Sequence, residues 1–132
     1  MLVLTVKTRA RTEFVDVTDK VREAVASAGA GTGLCMLYVP HTTAAVTINE
    51  SADPSVRGDI LKVLNEIVPW EANYRHLEGN SAAHIKTTLV GSSELVMVEK
   101  GRLVLGTWQG IFFCEFDGPR SRKLHVKLMS GV

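Results

Sequence analysis

The chain has 132 residues, 45% of them hydrophobic and 22% charged, with a net charge of +1. That is enough to bury a core within one domain, residues 1–132, and the near-zero charge speaks against a nucleic-acid partner. No apolar run approaches the ~20 residues of a membrane span, and M-L-V-L-T-V-K-T-R-A is too short an apolar run for a secretory signal, so no membrane partner and a cytoplasmic location are expected.

Residues 2–9 alternate apolar and polar, with Leu2, Leu4 and Val6 on one side, and E-F-V-D-V at 13–17 does the same. Two strands are predicted, and a hairpin through Ala10, Arg11 and Thr12 would join them. Thr18 reads as the N-cap of a helix carrying Val21, Ala24, Val25 and Ala28 at helical spacing, closed by Gly29, Gly31 and Gly33. Leu34 to Val39 is nearly all apolar, as in a central strand buried on both faces, until Pro40 removes a donor. Ala44 to Ile48 reads as a further strand.

Asp53 then Pro54 is a helix start, a capping carboxylate before proline in the first turn. Val56, Ile60, Val63, Leu64 and Ile67 supply its apolar stripe, and Pro69 its end. Asn80 or Ser81 caps a shorter helix to Val90, with Ala82, Ile85 and Leu89 as its stripe and Gly91 after it. A strand over Ile85–Val90 is the competing reading, since Ile, Thr and Val are common there. From residue 93 the chain is β-like: 94–99, 102–107, 111–116 and 123–129, separated by turn residues. The fold class is therefore α+β, mainly β: an antiparallel, sandwich-like single domain with two or three helices packed to one side.

In the strand from Ile111, one face carries Phe112, Cys114 and Phe116, and the other Ile111, Phe113, Glu115 and Asp117. The second face predicts burial against something, a partner subunit being one choice. Cys35 and Cys114 lie in apolar runs without a C-x-x-C motif and read as inert core thiols. Trp108, between Gly106 and Gly110, is either a stacking platform or interior packing.

Three of the four histidines stand in polar contexts: His41 in P-H-T-T, and His76 and His84 around R-H-L-E-G-N-S-A-A-H. His125 sits inside the last strand and reads as structural. Imidazoles bind zinc-like metals and move protons near neutral pH, so His41, His76 and His84 are candidate metal ligands or acid–base groups if the fold gathers them. Glu50 and Glu115 are candidate general bases or supporting partners. Thr42, Thr43, Asn49, Asn80, Ser81 and Gln109 can hydrogen-bond a substrate, a helix start at Ser81 can receive an anion, and Arg120 after Pro119 offers a fork for phosphate. On a straight strand His41 and Asn49 would lie roughly 26 Å apart, and Gln109 and Glu115 roughly 20 Å. They share a site only through a bend or a second subunit. P-loop, G-x-G-x-x-G and G-x-S-x-G motifs are all absent.

Three segments together, P-H-T-T-A-A-V-T-I-N-E-S-A-D-P at 40–54, Y-R-H-L-E-G-N-S-A-A-H-I-K at 74–86 and G-T-W-Q-G-I-F-F-C-E-F-D-G-P-R at 106–120, resemble the YjbQ-like family, also called the secondary thiamine-phosphate synthase family. The resemblance implies a β-rich homotrimer with a weak thiamine-phosphate synthase activity, joining a pyrimidine-methyl diphosphate to a thiazole phosphate with loss of diphosphate. It places the family's polar signature on the candidate residues above and on Asp53. The expected substrate is thus a phosphorylated small molecule, with a divalent metal such as zinc as the candidate cofactor.

Overall fold

The computed structural model describes residues 1–29 and 31–131. Among these, eight strands form two antiparallel sheets, with three helices. In chain order they are β1 (Leu2–Lys7), β2 (Glu13–Asp16), α1 (Thr18–Ser27), β3 (Gly33–Tyr38), β4 (Ala44–Glu50), α2 (Pro54–Ile67), α3 (Ser81–Val90), β5 (Ser93–Glu99), β6 (Arg102–Leu103), β7 (Gln109–Glu115) and β8 (Ser121–Ser130). One sheet runs β1-β8-β3-β5-β6, the other β2-β7-β4. The α+β, mainly β class holds.

β1 and β2 are not a hairpin: they diverge into different sheets, β1 pairing β8 and β2 pairing β7. Val6 and Val15 enter the same core from opposite sheets, so alternation alone gave the right faces and the wrong partner. That core lies between the sheets and includes Val6, Cys35, Leu37, Val46, Ile111, Phe113 and Leu124, with Val21 and Val25 of α1. A second core, on the far side of the small sheet, joins Phe14, Ala45, Phe112, Cys114 and Phe116 to Ile60, Leu61 and Leu64 of α2 and Ala83 of α3. The molecule is therefore layered: large sheet, small sheet, then α2 and α3. The second apolar face of β7 is filled by the large sheet of the same chain; no partner subunit is needed to bury it.

β3 is central but not buried on both sides. Cys35 and Leu37 point into the core, while Leu34 and Met36 are half-buried and Tyr38 exposed on the outer face. The strand expected over 102–107 is only the two-residue β6.

The helix starts show their chemistry. Asp53 caps α2 through the Ser55 N–H at 2.9 Å. At α1 the N-cap position is Val17, and Asp16 before it accepts at Oδ1 from the Thr18 N–H and hydroxyl at 3.0 and 2.6 Å. Thr18 is already helical, and its Oγ1 accepts the Ile111 N–H. Both later helices keep only part of their expected stripes: Val56, Ile60 and Leu64 of α2 are half-buried and Ala82 of α3 is buried. Val63 and Ile67 of α2 are exposed, as are Ile85 and Leu89 of α3, whose buried residues are Ala82, Ala83, Lys86 and Thr87. Among the described residues no helix is long and apolar enough to cross a membrane.

Candidate functional site

The P-H-T-T segment links β3 to β4, and the start of β8 holds it at two points. The Lys123 N–H donates to His41 Nε2 at 2.9 Å. One residue earlier, Arg122 Nη2 donates to Thr43 Oγ1 at 2.8 Å and to the Thr43 carbonyl at 3.3 Å. With Nε2 accepting, the neutral His41 ring carries its proton on Nδ1. Burial is the main cause that lowers its pKa from 6.5; the Arg122 charge lowers it further, Glu115 opposes this, and His125 and Arg120 add smaller lowering effects.

Arg122 is 3% exposed and Glu115 fully buried. Arg122 Nε donates to Glu115 Oε1 at 2.8 Å, and Nη2 binds Oε2. The Thr8 hydroxyl donates to Oε1 at 2.7 Å and the Asp117 N–H to Oε2 at 3.0 Å. Burial pushes the Glu115 carboxyl up. The hydrogen bonds from Arg122, Asp117 and Thr8, with the Arg122 charge, outweigh it, so the pKa lies below the usual glutamate value. Both oxygens of this carboxylate are occupied within the chain. Its geometry is that of a clamp joining β1, β7, β8 and the 40–43 loop, not of a base poised for a substrate proton.

His84 stands in the first turn of α3, and the chain from Tyr74 brings His76 against it. The two rings meet edge to face, centroids 5.3 Å apart. Tyr74 is held by its hydroxyl, which donates to the Pro69 carbonyl at 2.6 Å. His84 lines two neighbouring hollows. One, of about 480 Å³, also holds Tyr74, Arg75, His76 and Ser81. The other, of about 440 Å³, holds His41, Thr42, Tyr38 and Thr87. The three histidines thus border adjoining space, with His84 common to both parts. The expected three-histidine metal centre does not form: among the described residues no group of three or more His, Cys, Asp or Glu is placed to hold a metal ion. His41 enters from the β3–β4 loop and lines only the hollow that excludes His76, so the donor set does not converge.

Other signature residues have local partners. Asn80 Nδ2 donates to Asp117 Oδ2 at 2.8 Å, and Arg120 grips the same residue through Oδ2 at 3.2 Å and the carbonyl at 2.9 Å. The Asn80 Oδ1 and Thr87 Oγ1 atoms are buried, and among the described residues neither has a hydrogen-bond partner. Asn49, Glu50 and Gln109 lie at the opposite end of the β4–β7 ladder: Ala44 faces Glu115, whereas Glu50 faces Gln109. Six residues of strand separate the ends, roughly 20 Å. There the Asn49 and Gln109 side chains accept the N–H groups of Glu50 and Gly106, at 2.8 Å each. Trp108 is 63% exposed, so it is not interior packing.

Thr8, Tyr74 and Arg75 were not singled out by sequence, and Arg122, which in the basic run Arg120, Arg122 and Lys123 reads as part of a solvated face, is buried. Arg122 carried a usable signal, since it shares strand parity with Leu124 and Val126 and so faces inward, where a charge needs a partner.

A family profile described as "UPF0047 protein YjbQ-like" matches residues 3–131. UPF0047 protein YugU of Bacillus subtilis is 52% identical over 127 residues, 96% of each chain. A UPF0047 protein of Methanocaldococcus jannaschii is 51% identical over 124 residues, 94% of this chain and 90% of that one. The crystal structure of an uncharacterized conserved YjbQ/UPF0047 family protein from Clostridium acetobutylicum superposes with a TM-score of 0.95 at 49% identity, covering 98% of this chain and 100% of the other. On profile, sequence and fold alike, the chain belongs to the YjbQ-like family, UPF0047.

Proposed function

We propose that the protein is an enzyme acting on a phosphorylated small molecule at the two hollows that His84 lines, with His41 and His84 as its proton-transferring groups. The observation that carries this reading is His84, which lines both hollows and so sets His41 on one side and His76 with Arg75 on the other. Burial holds His41 neutral, and its Nδ1–H is the proton it has to give. Arg75, Ser81 and the N-terminal end of α3 suit the anion. The reaction implied by the family resemblance, weak thiamine-phosphate synthesis, is the first to assay. His84→Ala is expected to lower kcat/KM by ~10²-fold or more, with His125→Ala near wild type. Equal turnover in wild type and His84→Ala would sink the reading.

A second reading, a non-catalytic trimeric module that binds a small anion or metabolite, is favoured by one observation. Neither candidate base stands free beside the histidines: Glu115 is saturated within the chain and Glu50 lies at the far end of β4. Anion binding that His84→Ala abolishes, with no turnover by wild type, selects it.

We also propose that copies of the chain associate through the outer face of the large sheet. Leu34 pairs in register with Met97 and Met129, and Met36 with Leu95, beside Tyr38 at the rim of the His41 hollow. Leu95 and Met97 are 57% and 62% exposed, a patch that water-facing sheets seldom carry without a partner. The trimer of the resemblance would cover it. The free thiols Cys35 and Cys114 suit a reducing, cytoplasmic setting.

A further inference from the structure

Where β1 and β2 part toward different sheets, they leave a groove of about 580 Å³ between them. Four cations line it, each from a different segment: Lys7 of β1, Arg9 of the following loop, Lys20 of α1 and Arg57 of α2. Two carboxylates, Glu13 and Asp16, line it as well. Four cations against two carboxylates is a strong local excess in a chain whose net charge is only +1.

Both acids already have partners. Asp16 Oδ1 accepts from the Thr18 N–H and hydroxyl, and Glu13 Oε1 accepts the Arg9 N–H. Among the described residues none of the four cations is ion-paired; the ion pairs belong to Arg22, Lys62, Arg120 and Arg122. The Arg57 guanidinium is positioned instead over the Phe112 ring, 5.4 Å from its centroid. Lys20 Nζ donates to the Thr5 carbonyl at 3.3 Å, which occupies a backbone acceptor of β1 and blocks the addition of a peptide strand there.

We infer that this groove binds a small polyanion carrying two or more phosphate groups, at a site separate from the histidine hollows. Its volume lies within the ~300–1,000 Å³ usual for small-ligand pockets. Cations spread over four segments match a ligand with several charges better than one with a single charge.

Titration calorimetry with inorganic triphosphate, at low ionic strength and without magnesium, tests this on wild type, Lys7→Gln/Arg9→Gln, Arg57→Gln and His84→Ala. Affinity is expected to fall at least tenfold in the double variant and in Arg57→Gln, and to be unchanged in His84→Ala. Lys7 and Arg9 are exposed, so the double variant keeps its fold, which its unfolding midpoint checks. No triphosphate binding by wild type overturns the inference, as does binding indifferent to loss of Lys7 and Arg9. Binding lost in His84→Ala overturns it too and moves the anion to the histidine hollows. The groove and the histidines share no residue, so the two readings stand or fall apart.

Discussion

Glu115 and Arg122 set the environment of His41, and their effects can be measured separately. Removing one member of a buried pair strands the other charge, so Arg122→Met is expected to cost ~3–5 kcal/mol in urea unfolding, and Glu115→Gln/Arg122→Met less than the sum of the single changes. The folded pKa of Glu115 is depressed, so its contribution is fully present above its ordinary value of 4.5 and is lost as pH falls through the folded value. Glu115→Gln should therefore flatten the acid limb of the stability curve. His41 follows the same sign: its folded pKa lies below 6.5, so stability declines as pH drops from 6.5 toward that value. Nitrogen-detected NMR should find the His41 proton on Nδ1 and a midpoint below 6.5; a proton on Nε2 would contradict the Lys123 contact. His41 itself was legible as a candidate in P-H-T-T. Its tautomer was not, because the donor that sets it lies 82 positions away.

Elements were easier to name than to orient. The 81–90 helix was expected with Ile85 and Leu89 inward, yet it buries Lys86, whose Nζ reaches Asn65 Oδ1 at 2.5 Å. An apolar residue marks the inner stripe only where the outer face meets water, and α3 displays Ile85 beside the histidine hollow. Burial, then the Arg11 charge, lowers the Lys86 pKa from 10.5. Stability therefore gains as pH rises toward 10.5, where the unfolded chain no longer binds the extra proton. Lys86→Met is expected to stabilise by on the order of 1 kcal/mol at pH 7, with the gain shrinking near pH 10, by denaturant unfolding at both values. A loss of stability at pH 7 would mean that the Asn65 contact outweighs the cost of burying the amine. β7 is the opposite case. Its alternation correctly gave two filled faces, and only the occupant of the second was missed.

For the whole molecule, the layer order leaves Leu95 and Met97 exposed on the outside of the large sheet. Leu95→Glu/Met97→Glu is expected to yield monomers in light scattering where wild type is oligomeric; unchanged mass would place the interface elsewhere. The sequence by itself determined the mainly β class, the helix from Pro54, the family and the candidate histidines. Those features follow from local periodicity, capping chemistry and motif strings that need no partner to be read. Only the tertiary structure decided that β1 and β2 part company, that Glu115 is locked to Arg122, and that His84 stands between His41 and His76 without closing a metal site. Each depends on contacts between segments far apart in the chain, and a strand's alternation states which side is apolar but not what will lie against it.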